Sequence, residues 1–95
     1  MPAQRGNVEH LLERELGFQR EEGDHLTVRL VIDGKLIART KTSHSHSTIG
    51  DDLLGLMARQ IHISPAFFKA LLARKKRRND YLKALQQRAL LPPGI

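Results

Sequence analysis

Between Gly23 and Ile32 apolar residues fall at every second position: Leu26, Val28, Leu30 and Ile32, with His25, Thr27 and Arg29 between them. Successive side chains of a strand point to opposite faces. The stretch His25–Ile32 therefore reads as a strand with one core face and one polar face. A histidine beside an arginine on an open sheet face can hold phosphate, and it can move a proton near neutral pH.

The partner strand follows at once. Lys35–Thr42 is joined to the first strand at Asp33-Gly34. A two-residue Asp-Gly turn would set Val28 opposite Arg39 and mix core with solvent. A three-residue loop, Ile32-Asp33-Gly34 with Gly34 left-handed, keeps the faces clean. Leu26, Val28 and Leu30 then share a face with Leu36, Ala38 and Thr40. His25, Thr27, Arg29, Arg39 and Lys41 collect on the other. Phe18–Asp24 reads as a third, polar edge strand.

Helical spacing flanks this sheet. Asn7 can cap a helix whose stripe is Val8, Leu11, Leu12, Glu15 and Leu16, ended by Gly17. After the polar run Ser43–Ser47, a second helix starts near Ser47 or Thr48, with Thr48 and Asp51 spaced as a capping box. Its buried stripe is Ile49, Leu53, Leu56, Met57 and Ile61. Ser64 caps a third helix with Pro65 at its first position and Phe67, Phe68, Leu71 and Leu72 on its apolar side. Tyr81, Leu82 and Leu85 prolong that helix or begin another, and Pro92-Pro93 ends regular structure. The fold class is α+β, in the order α-β-β-β-α-α, with a three-stranded antiparallel sheet and helices on one face. Residues 1–6 read as a disordered N-terminus, 7–73 as the domain, and 74–95 as a basic helical extension.

At 95 residues the chain suits one small domain. Aromatics make up only 4% of it, so the core is aliphatic. The absence of cysteine excludes disulfides, thiolate metal sites and a cysteine nucleophile. No apolar run nears the roughly 18 residues of a membrane span, and no secretory h-region opens the chain, so a soluble cytoplasmic protein is expected. The net charge of +6 is concentrated: residues 69–88 hold eight basic residues and one acid, a net of +7, against eight basic and nine acidic elsewhere, a net of −1. Arg74, Lys75, Lys76, Arg77 and Arg78 head this block and point to a polyanion or an acidic protein partner. A solvated helix face is the plainer reading.

Other signals are weaker. His44 and His46 sit in a serine-rich run with no carboxylate nearer than Asp51, so neither a metal nor any other cofactor is expected. Met57–Phe68 has the layout of a helix-turn-helix. Its second helix would open Ser64-Pro65-Ala66-Phe67-Phe68, almost bare of groups for base edges, and two helices packed on the sheet explain the pattern as well.

Leu16-Gly17-Phe18, Gly23-Asp24-His25, the hairpin, the loop with His44 or His46, Ile49-Gly50-Asp51-Asp52-Leu53-Leu54 and Ala58–Ser64 together resemble the HicA-type toxins of bacterial toxin-antitoxin pairs. The resemblance covers about residues 7–70. It implies a fold like the double-stranded RNA-binding domain, action on messenger RNA and a small antitoxin protein as partner. It also makes His25 the catalytic residue of an endoribonuclease, or mRNA interferase. Asp24 stands where the family carries serine, and Leu26 where it carries a second histidine. Arg29, Arg39 and Lys41 would then hold phosphate, with Arg74, Lys75, Lys76, Arg77 and Arg78 as further RNA contacts. A non-catalytic RNA- or ribosome-binding module is the alternative, and a helix-turn-helix DNA-binding regulator over residues 49–72 is a third.

Overall fold

The structure, a computed structural model, describes residues 3–21, 23, 27–42 and 48–91. It is α+β with a three-stranded antiparallel sheet, as the alternation and helical spacing require. Strands β2 (Gln19–Arg20), β3 (Thr27–Ile32) and β4 (Lys35–Lys41) form that sheet in the order β2-β3-β4. Helices α1 (Arg5–His10), α2 (Asp51–Gln60), α3 (Pro65–Leu72) and α4 (Arg78–Gln87) surround its apolar face. A second, two-stranded sheet pairs β1 (Ala3–Gln4) with β5 (Thr48–Ile49). Residues 3–6, expected to be disordered, therefore lie in a strand and the first turn of α1. Among the described residues no helix is long and apolar enough to cross a membrane.

The hairpin corrects the expected loop. Ile32 pairs with Lys35, so the turn is the two-residue Asp33-Gly34, with φ of 52° and 77° as a type I′ turn demands. The register then shifts between Leu30 and Val31, so that Leu30 faces Ala38 and Val28 faces Thr40. Ile37 is the extra residue of this bulge. It lets two successive residues, Ile37 (6% exposed) and Ala38 (4%), both turn to the core. Leu36, expected in the core, is 55% exposed instead. The bulge thus achieves what the three-residue loop was invoked for. Thr27 departs in the other direction: its strand position belongs to the polar face, yet it is buried.

Helix α1 begins at Arg5 with Gln4 as its N-cap, not at Asn7. It runs on into a π-helical turn, Leu11–Glu15, closed by Leu16 N–H donating to the Leu11 carbonyl at 2.8 Å. A five-residue repeat keeps Leu11 and Leu16 on one side with Leu12 and Val8, all buried. Gly17, at φ 84°, ends it. Among the described residues, only Gln19–Arg20 of the expected edge strand Phe18–Asp24 are in the sheet, and Phe18 turns into the core instead. Arg20 on that edge binds Glu13 (2.7 Å) and Glu9 (3.1 Å), and the hydrogen bond to Glu13 holds its guanidinium above the ordinary value.

Thr48 lies in β5, so it cannot cap α2; the N-cap is Gly50, with no side-chain bond. The buried stripe of α2 is Leu54, Met57, Ala58 and Ile61, while Leu56 is 50% exposed. The α3 start is as expected: Ser64 Oγ accepts from Phe67 N–H at 3.1 Å, with Pro65 at the first position. Past Ala73 a new helix, α4, forms, and it belongs to the core. Tyr81 and Leu85 are fully buried, and the Tyr81 hydroxyl donates to the Ile61 carbonyl at 3.0 Å. Tyr81 also lies 6.3 Å from the Phe18 ring. Helix α4, read from the sequence as part of an extension beyond the domain, thus supplies two residues of its core.

Candidate nucleic-acid interface

The face of the sheet away from the helices is built by register. Arg29 on β3 stands directly opposite Arg39 on β4 and, on its other side, opposite Gln19 of β2. Lys41 pairs with Thr27 one step along the same face. Arg29, Arg39 and Lys41 are all exposed. Like charges directly opposite one another destabilise a sheet. One acid moderates this: Glu21 Oε2 lies 2.7 Å from Arg39 Nη2. Arg29 has no ion-pair partner among the described residues. Beyond the arginines, toward the turn, the exposed Val31 and Leu36 pair across the strands. The face is therefore a cationic strip with an apolar end.

The basic block does not form one uniform surface. Arg74 occupies a left-handed position after α3 (φ 62°), with Nη1 3.6 Å from Glu15. Lys76 Nζ sits 4.8 Å from the centroid of the Phe67 ring, a cation–π contact. Arg77 caps α4, its backbone N–H donating to Asp80 Oδ2 at 2.8 Å. Lys75, Arg77 and Arg78 are exposed. The structure thus brings Arg29, Arg39 and Lys41 together and puts residues 74–78 on the separate α3–α4 connection. His25, His44 and His46 lie outside the described residues, as do Asp24 and Leu26.

Two residues of this region, Gln60 and His62, escaped the sequence reading. Thr40 Oγ1 donates to Gln60 Oε1 at 2.7 Å, tying β4 to the end of α2. His62 Nε2 lies 3.0 Å from the carbonyl of Ile37, the bulged residue, so that nitrogen carries the proton and donates. A surface pocket of about 320 Å³ opens here, lined by Thr27, Arg39, Thr40, Lys41 and Gln60. Thr40 was legible as a core-facing position by parity. Gln60 and His62 were not, because only the packing of α2 on β4 brings them there.

The helix-turn-helix reading finds little chemistry. The exposed residues of α3 are Ala66 and Lys69, and Lys69 Nζ is 3.3 Å from Asp51 Oδ1. Compared with protein-family models, curated proteins and solved structures, the chain matches none of them.

Proposed function

We propose that this protein binds RNA through the open face of its sheet and acts as a HicA-like toxin, a slow, metal-independent endoribonuclease on messenger RNA. The observation that supports this reading best is the cross-strand Arg29–Arg39 pair with Lys41 beside it. Two cations held opposite one another cost stability unless an anion joins them, and a phosphodiester is such an anion.

RNA carries its own nucleophile. A base that takes the 2′-hydroxyl proton lets that oxygen attack the adjacent phosphorus. The bond to the 5′-oxygen then breaks, and the leaving oxygen takes a proton. His25 is the base on this reading, following Gly23-Asp24, and Arg29, Arg39 and Lys41 steady the phosphate. Arg74, Lys75, Lys76, Arg77 and Arg78 add sequence-independent backbone contacts. General base catalysis supplies about 10²–10⁴-fold, so a single-histidine site works slowly. On this reading the chain acts in the cytoplasm and is held in check by a small antitoxin protein.

The test is cleavage of a labelled messenger RNA by the parent protein and by His25→Ala. The parent should cut it, and the variant should cut at least about 100-fold more slowly while binding as tightly. A parent that binds RNA without cutting it would favour the non-catalytic RNA- or ribosome-binding module, for which the opposed arginines suffice. A parent that prefers one duplex DNA sequence over RNA would overturn both.

A further inference from the structure

The pocket between β4 and the end of α2 has a donor arrangement that the open sheet face alone does not explain. Thr40 is 2% exposed, so its hydroxyl is fixed by its surroundings, and it donates to Gln60 Oε1. That bond occupies the oxygen of the Gln60 amide and leaves its –NH₂ group, two donors, at the other end of a held side chain. Lys41 lines the same pocket, and Arg39 lines it too, oriented by Glu21.

The end of α2 does not oppose an anion with a row of open carbonyls. Ile61 N–H bonds to the Met57 carbonyl, Ile63 N–H to Ala58 and His62 N–H to Arg59, which closes the helix as a Schellman motif. What remains at the pocket is the Gln60 amide beside Lys41 and Arg39. Two cationic side chains and a donor amide line one pocket, which suits a singly charged tetrahedral oxyanion.

We propose that this pocket is a phosphate subsite, in which Gln60 Nε2 and Lys41 Nζ hold one phosphodiester of the bound RNA beside the Arg29–Arg39 strip. The subsite rests on the RNA-binding reading above and adds Gln60, positioned by Thr40, as a residue that touches substrate. It gives the RNA backbone a path off the sheet face and over the β4 edge toward α2.

The experiment uses the full chain, a fluorescein-labelled single-stranded RNA of mixed sequence, and inorganic phosphate as a second probe. Gln60→Glu keeps an acceptor for Thr40 and turns the donor end into a carboxylate. It should weaken RNA binding by about tenfold or more, the scale of a hydrogen bond to a charged group. Lys41→Gln should lower the slope of log affinity against log salt by about 0.7. Gln4→Glu, on β1 in the other sheet, makes the same charge change and should leave affinity within about twofold. In the parent, phosphate should move the Gln60 side-chain amide signals in a nitrogen–proton spectrum, and in Lys41→Gln that movement should shrink.

If Arg29→Gln weakens RNA binding while Gln60→Glu and Lys41→Gln leave it unchanged, the subsite falls and the RNA reading stands. If the parent does not bind RNA but phosphate still moves the Gln60 amide, the subsite stands and the RNA reading falls. Unmoved amide signals together with unchanged variants overturn the proposal outright.

Discussion

Ala89 carries a φ of 56° at the end of α4, where Leu90 N–H bonds to the Leu85 carbonyl and Ala89 N–H to Gln86. His62 and Arg74 occupy the same left-handed position after α2 and α3. Glycine is the usual residue there because an L side chain in this region costs about 1 kcal/mol. Ala89 is exposed, so Ala89→Gly should raise stability by about 0.5–1 kcal/mol in urea denaturation. His62→Gly should gain nothing, because the bond to the Ile37 carbonyl, worth about 1 kcal/mol, is lost with the ring. An equal gain at both positions would show that the His62 bond contributes nothing. Tyr81 is the chain's only tyrosine, and burial pushes its phenol well above the ordinary value. In the unfolded chain that phenol ionises from about pH 10 upward, while the folded chain keeps the proton. The unfolded state then binds fewer protons, so this group's contribution to stability is full below about pH 10 and is lost as pH rises above it. Tyrosinate absorbance should therefore appear together with the loss of helical circular dichroism, not before it. Tyr81→Phe should flatten that part of the alkaline decline, at a cost near neutral pH of about 1–2 kcal/mol for the unpaired Ile61 carbonyl.

At the scale of elements, the hairpin carries two devices that work against each other in register and together in packing. The type I′ turn at Asp33-Gly34 matches the strand twist but would drive Arg39 inward by parity. The bulge at Ile37 adds one residue and returns Arg39 to the open face. Because the turn is two residues long, Asp33 itself must hold a positive φ. Asp33→Val, a β-branched residue there, should cost about 1–2 kcal/mol in denaturant unfolding. A three-residue loop, with only Gly34 left-handed, would make the same change worth about 0.5 kcal/mol or less. The measurement decides between the two turns. The bulge also accounts for His62: an extra residue leaves a carbonyl outside the ladder, and the ring supplies its donor.

At the scale of the whole molecule, the C-terminal segment is at once a source of charge and a wall of the core. Tyr81 and Leu85 lie in the cluster that also holds Leu12, Phe18, Met57 and Phe68. Losing a buried aromatic costs about 3–5 kcal/mol and a buried leucine about 2–5. Together these rival the total stability of a small domain, about 5–15 kcal/mol. A chain ending at residue 73 should therefore lose cooperative unfolding, and calorimetry would read this directly. Truncation cannot test the basic block for that reason. Lys75→Gln and Arg78→Gln, both at exposed positions, leave the core alone. Each phosphate contact removed should lower the salt slope of single-stranded RNA binding by about 0.7. An unchanged slope would mark the block as a solvated surface.

Local periodicity determined much of this. The alternation of Val28, Leu30 and Thr40 with Arg29, Arg39 and Lys41, the Ser64-Pro65 helix start and the glycine stop at Gly17 are written in spacing and backbone chemistry, and each appears where those rules put it. The cationic face was legible for the same reason, since parity alone separates it from the core. Spacing within one element cannot report which elements meet. The Ile37 bulge exists because the sheet must present both Ile37 and Ala38 to the helices while meeting a two-residue turn. Tyr81 became core because α4 folds back onto the turn after α2, and a basic run in sequence carries no sign of that. The Thr40–Gln60 bond and the pocket beside it join residues twenty positions apart. Such contacts depend on the docking of α2 against β4, which burial of the whole apolar face decides and no local pattern encodes.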